Sequence, residues 1–198
     1  MSISTVAVTG GNGKIGRSML NYLKDEGYET ANIARGKRRE DISDIYITTD
    51  LMDAGETYSA LSKAGADAVI HLGTIPDPYS NPQFRTYESN TTSAVHILEA
   101  SEALDLKSCC LASSINAMGA EHQQRPPQVE YLPIDEQHPR TPDDIYGIAK
   151  YAMEVTAAGF GRRPDTDLTI STLRYPWVPT EEELIEALVE EEDRKSVV

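Results

Sequence analysis

Short apolar runs alternate along this chain with stretches whose apolar residues recur every three or four positions. The runs TVAVTG (5–10), YETANIA (28–34), IYITTD (45–50), DAVIHLG (67–73), KSCCLASS (107–114) and DLTISTLRY (167–175) have the length of strands. Helical spacing predicts helices over 16–27, 53–63, 82–103 and 143–160, and a last, acidic helix beyond residue 180. Gly27 stands where the first helix should stop. Strand and helix take turns, and the strands are too apolar to leave one face in water. The pattern predicts an α/β fold, a doubly wound parallel sheet covered on both faces. Ligands of such sheets bind beyond the carboxyl ends of the strands. The Pro-rich segment 123–144 predicts a long loop within the domain rather than a boundary.

Composition narrows the partners. A chain of 198 residues can enclose one sizeable core. Its net charge of −14 repels nucleic acid and anionic lipid, so neither is an expected partner. No apolar run approaches the roughly 20 residues of a membrane helix. Met1 leads straight into the first strand pattern without a signal-peptide layout, and the expected location is the cytoplasm. The two cysteines, Cys109 and Cys110, are adjacent and build no disulfide framework. The four histidines lack metal-ligand spacing, so no metal site is expected.

Two motifs carry candidate chemistry. The first follows the first strand and opens the first helix: Gly10, then Gly11-Asn12-Gly13-Lys14-Ile15-Gly16. Without Cβ atoms such a turn bends sharply, and its amides face a pyrophosphate at the helix N-terminus. A carboxylate at the end of the second strand would bind a ribose 2′-hydroxyl. Ala34 stands there instead, followed by Arg35 and the basic cluster Lys37, Arg38 and Arg39. A 2′-phosphate suits those cations, so NADP is expected over NAD. The second motif is DIYGIAKYAM, which sets Tyr146 four residues before Lys150. On a helix the two are neighbours. An ammonium beside a phenol favours the phenolate, although the spacing alone fits an ordinary amphipathic helix equally well.

The segments TGGNGKIG, TDLMD, VIHLG, YESNTTSAVHILEA, LASSINAMG, YGIAK and LRYPWV, in this order over about residues 4–178, resemble the extended short-chain dehydrogenases/reductases of the NAD-dependent epimerase/dehydratase family. The resemblance implies a Rossmann-like fold. It implies that Ser114, Tyr146 and Lys150 are catalytic and that Asn90 supports them. It places Asp50 and Leu51 beside an adenine, Leu72 and Gly73 along the phosphates and ribose, and Pro176 and Val178 along the nicotinamide. Hydride would pass between a dinucleotide and a secondary alcohol of a sugar or sugar nucleotide, with Tyr146 moving the proton. Uronate dehydrogenase is one candidate activity within that class. A homodimer through the helices of Asn90 and Tyr146 is implied as well. Residues 1–178 would form the dinucleotide-binding domain and 179–198 an acidic helix, a remnant of the substrate lobe. Members of the family continue for a further tract that builds most of that lobe, so here the lobe is expected to be truncated or absent. The alternative reading is a non-catalytic dinucleotide sensor of the same fold.

Overall fold

The computed structural model describes residues 2–38 and 42–196. Six parallel strands form one sheet: β1 (Thr5–Thr9), β2 (Glu29–Ala34), β3 (Ile45–Thr48), β4 (Ala68–His71), β5 (Ser108–Ser114) and β6 (Thr169–Tyr175). Their spatial order is β3-β2-β1-β4-β5-β6. The chain winds outward from β1 to β3, returns to the other side of β1, and winds outward again through β6. The reversal lies between β1 and β4, which pair from Val6–Ala68 to Thr9–His71. At such a switch point the loops leaving the two strands diverge and open a crevice. The helices are α1 (Lys14–Asp25), α2 (Ala54–Ala64), α3 (Gln83–Ala103), α4 (Ile145–Phe160) and α5 (Glu181–Ser196).

Strand alternation sorts the core into two unequal halves. On β1, Ala7 points to one face of the sheet and joins a large cluster with Ile33, Leu61, Ala94, Ile97, Leu98, Met153 and Ala157. The cluster therefore draws on α2, α3 and α4. Val6 and Val8 point the other way and pack with Leu20 and Leu23 of α1. Local chemistry sets the helix ends. Asp53 and Asp144 cap α2 and α4 by accepting from the amides of Glu56 and Gly147. Gly65, in the left-handed region, closes α2.

The predicted elements all occur, with ends shifted by at most two residues. One expectation needs correction. β6 is not covered on both faces: Leu173 is 47 % exposed, and exposure alternates along the strand. As an edge strand next to β5 only, β6 has its inner residues under α4 and its outer ones in solvent. A single turn of 3-10 helix, Ile115–Met118, was not foreseen. It redirects the chain straight after β5, and it shapes the site.

Candidate active site

The carboxyl ends of β1, β4 and β5 border a cleft made of two joined cavities, which share Gly10, Gly13, Leu72 and Thr74. One, of about 350 Å³, runs from the glycine turn past Ala34, Arg35, Asp50, Leu51 and Gly73. The other, of about 550 Å³, runs from Lys14, Ile15 and Gly16 to Ser114, Tyr146, Lys150, Pro176 and Val178.

The first cavity depends on missing side chains. Gly10 has φ +71°, and a Cβ there would lie 2.9 Å from the backbone of Gly73. A Cβ on Gly16 would lie 2.3 Å from the Gly10 carbonyl oxygen. The turn from β1, the loop from β4 and the start of α1 meet closer than side chains permit. Gly11 is buried over Asn32, and Asn12 joins Asn32 to the Tyr46 hydroxyl, which donates to the Gly36 carbonyl. The N-cap of α1 is Gly13, which brings no side chain to the first-turn amides. Those amides are left for an anion. This cradle fits the pyrophosphate of a dinucleotide.

The walls are fixed by hydrogen bonds that sequence reasoning did not anticipate. Thr9 Oγ1 accepts from the amides of Leu72 (3.2 Å) and Gly73 (3.1 Å). With both acceptor positions taken, its hydrogen goes to His71 Nδ1 at 2.8 Å. His71 therefore carries its proton on Nε2, where Ser93 Oγ lies at 3.3 Å and in turn donates to the Ser89 carbonyl. Burial, and then the charge of Lys150, pushes the His71 pKa down to about 3. Asp50 Oδ1 accepts from the Met52 amide, and the Leu51 carbonyl is bonded to His96 Nδ1. Arg35 is exposed at the rim. Arg38 donates to the Ser43 carbonyl, away from that rim, and Arg39 lies outside the described residues.

In the second cavity buried polar groups converge. Ser114 ends β5 and caps the 3-10 turn; Tyr146 and Lys150 occupy one face of α4. All three are buried. The Lys150 ammonium donates to the Ala112 carbonyl (2.6 Å) and to Thr74 Oγ1 (3.1 Å) and lies 5.6 Å from the centre of the Tyr146 ring. Burial lowers its pKa to about 7. Burial also raises the Tyr146 pKa; the Ser114 hydrogen bond opposes that rise, while Asp144, Asp77 and Glu121 add to it. Lys150 does not offset this. The phenol is thus a weaker acid than a free one, opposite to what the Tyr–Lys spacing suggested.

Asn90 reaches neither group. Its side chain accepts from the Ile75 amide (2.8 Å) and donates to the Ile75 carbonyl (2.9 Å). It holds the loop after β4, and Thr74 of that loop receives Lys150. Lys14 is paired with Glu183 of α5 at 2.7 Å, both half exposed. One turn beyond Lys150, Glu154 accepts from Ser113 (2.5 Å) and from Arg174 (2.8 and 2.9 Å). Burial works to raise the Glu154 pKa, but the Arg174 and Ser113 bonds hold it below the usual range. The result ties α4 to β5 and β6 beneath the site.

Two residues here were missed in sequence. His122 packs edge-on against the Tyr146 ring, with centres 5.8 Å apart. Asn116 holds Ser114. His122 lies in a long loop with no periodic signal. Asn116 had one: Ser114 and Gly119 bracket a short helical turn between an N-cap and a left-handed C-cap. Among the described residues no cluster of potential metal ligands occurs, and no helix is long and apolar enough to cross a membrane.

Comparison with known proteins agrees with this fold. UDP-glucose 4-epimerase of Lacticaseibacillus casei is 27% identical over 76% of this chain and 45% of its own length. L-arabinose 1-dehydrogenase (NAD(P)(+)) of Haloferax volcanii is 26% identical over 96% of this chain and 73% of its own. The crystal structure of UDP-glucose 4-epimerase from Brucella ovis in complex with NAD superposes with a TM-score of 0.75, at 22% identity, over 87% of this chain and 51% of that one. The chain thus spans about half the length of either epimerase. Residues 6–181 match one family along nearly the whole described fold, and the chain belongs to it: the NAD dependent epimerase/dehydratase family.

Proposed function

We propose that this chain is the dinucleotide-binding and proton-transferring part of an oxidoreductase or epimerase acting on a secondary alcohol of a sugar or sugar nucleotide. The observation that carries the reading is the convergence of Ser114, Tyr146 and Lys150 in a cavity continuous with the glycine cradle. Residues 1–178 form the dinucleotide-binding unit, and α5 lies beyond it.

The Gly10–Gly16 turn and the α1 amides hold the pyrophosphate. Leu72 and Gly73 line the phosphates and ribose. Asp50 and Leu51 border the adenine, and Pro176 and Val178 the nicotinamide. When bound, the nicotinamide accepts or returns hydride. Tyr146 takes the proton of the substrate hydroxyl, and Ser114 donates a hydrogen bond to the same oxygen as charge develops there. Lys150 is buried and bonded to Thr74, which lines both cavities. Bonding its ammonium to ribose hydroxyls keeps it protonated, and only then does it favour the Tyr146 phenolate. Asn90 acts at one remove, through the loop that receives Lys150.

Arg35, at the rim and without an acidic neighbour at Ala34, reads a 2′-phosphate and favours NADP. The relatives' names bear on this from both sides, one structure being a complex with NAD and one enzyme taking NAD(P)(+). Association through α3 and α4 is supported by exposed Phe84, Tyr87, Ile148 and Val155 on those helices.

The test is calorimetric titration with NAD and NADP, followed by incubation with aldoses, uronates and sugar nucleotides. Nicotinamide absorbance reports oxidation and product NMR reports epimerisation. Dinucleotide binding with either conversion is expected. Failure to bind either dinucleotide overturns the reading.

A further inference from the structure

Asn116 has an unusually complete set of bonds for a residue two positions after Ser114. It is 3 % exposed. Its Oδ1 accepts from the amides of Glu121 (2.7 Å) and His122 (3.1 Å). Backbone amides only donate, so these two contacts decide which end of the carboxamide is oxygen. The Nδ2 end must then face Ser114, where it donates to Oγ at 3.3 Å. The Asn116 amide donates to the same Oγ at 3.2 Å.

A hydroxyl oxygen accepts two hydrogen bonds and donates one. Asn116 fills both acceptor positions of Ser114. The Ser114 hydrogen then has one direction left, outward into the cavity that Tyr146 also lines. A tyrosine donating to Ser114 would need a third acceptor position. We propose that Asn116 is a positioning residue that makes the Ser114 hydroxyl a one-way donor, toward the Tyr146 oxygen or the reacting substrate oxygen. The inference rests on the proposed function, which sets Ser114 and Tyr146 to work together in one cavity.

This fixes the proton order of the site. A one-way donor at Ser114 stabilises negative charge on the oxygen it meets, as required for a phenolate or a developing alkoxide. It also leaves the Tyr146 hydrogen free for transfer. Through Oδ1 the same carboxamide pins the Glu121–His122 segment, and His122 packs on the Tyr146 ring. A merely structural Asn116 would act by that second route alone.

The two routes separate in a double-mutant cycle read on the Tyr146 phenol. The groups facing it are Asp77, Glu121, His122, Asp144 and Lys150, and none is changed. The protein carries fluorotyrosine, whose phenol titrates lower than tyrosine's, and Tyr146→Phe assigns the fluorine signal. Ser114→Ala should raise the phenol pKa by about one unit, a tenfold loss of phenolate at a given pH. Asn116→Ala should raise it more in the Ser114 protein than in the Ser114→Ala background, where only the route through Oδ1 and His122 remains. Asn116→Asp keeps the acceptor for the two amides and loses the donor, so it serves if Asn116→Ala does not fold. Its added charge acts in both backgrounds and cancels in the cycle. An unchanged pKa in Ser114→Ala removes the Ser114–Tyr146 pairing and this inference with it. A normal response to Ser114→Ala, with an Asn116 effect that is absent or persists fully without Ser114, overturns the inference and leaves the pairing standing.

Discussion

The two halves of the cleft are built on opposite principles. Around Gly10, Gly13, Gly16 and Gly73 the site is backbone, and what matters is atoms that are absent. Around Ser114, Tyr146 and Lys150 it is side chain, and what matters is polar atoms that are buried. The first half suffers from any addition. The second already holds groups whose pKa values burial has displaced, with Tyr146 raised and Lys150 lowered to about 7. A cradle made of backbone is finished before a ligand arrives. A cluster of displaced pKa values is completed by the charge and hydroxyls a ligand brings.

The largest effect on dinucleotide affinity should come from the backbone half. Gly16→Val puts a branched side chain where even a Cβ lies 2.3 Å from the Gly10 oxygen. Overpacking of this kind costs about 1–3 kcal/mol, so dinucleotide affinity should fall about 10- to 100-fold with Tyr146 and Lys150 untouched. Calorimetry checks this, and normal affinity would mean the cradle is not the binding site.

Lys150→Met probes the other half by pH. The folded pKa of about 7 lies below the ordinary 10.5. Between those values the unfolded chain binds more protons, so the Lys150 contribution to stability rises with pH from about 7 to about 10.5. That rise should vanish in Lys150→Met, and dinucleotide affinity should fall as well. Urea unfolding across the range reads the first effect and titration the second. His71 works on the acid side: its folded pKa of about 3 lies below 6.5, so stability is lost as pH falls from about 6.5 to about 3. The slope is at most about 1.4 kcal/mol per pH unit, and His71→Asn should remove it. The smallest effect is at the rim. Arg35→Ala should weaken NADP about tenfold, the scale of one charged hydrogen bond, and leave NAD unchanged; equal loss for both would end the NADP preference.

The contrast between the halves also explains what could be read in sequence. The glycine turn is contiguous, and its strand-turn-helix context is local, so its place was legible from residues 5–27. The strands, helices and their order were legible because apolar period follows secondary structure. The open face of β6 was not, because DLTISTLRY looks like a buried strand until its neighbours are known. Tyr146 and Lys150 could be paired by helical spacing, but their pKa directions depend on burial and, for Tyr146, on Asp77 and Glu121 from two other segments as well as the helix's own Asp144. Asn90 was placed on the right helix, yet its partner proved to be the Ile75 backbone. The Thr9–His71–Ser93 relay joins residues far apart in the chain, and no local pattern announces it.

The central claim is that Tyr146 moves the proton while the glycine cradle binds the dinucleotide independently of it. Tyr146→Phe removes the hydroxyl and keeps the ring against His122. Turnover and dinucleotide affinity should be measured together on this variant, with the sugar substrate found in the screen. Turnover should fall about 100- to 10,000-fold, the usual contribution of general acid–base catalysis, while affinity stays almost unchanged. Wild-type turnover in Tyr146→Phe would contradict the account, however well the cleft fits a dinucleotide.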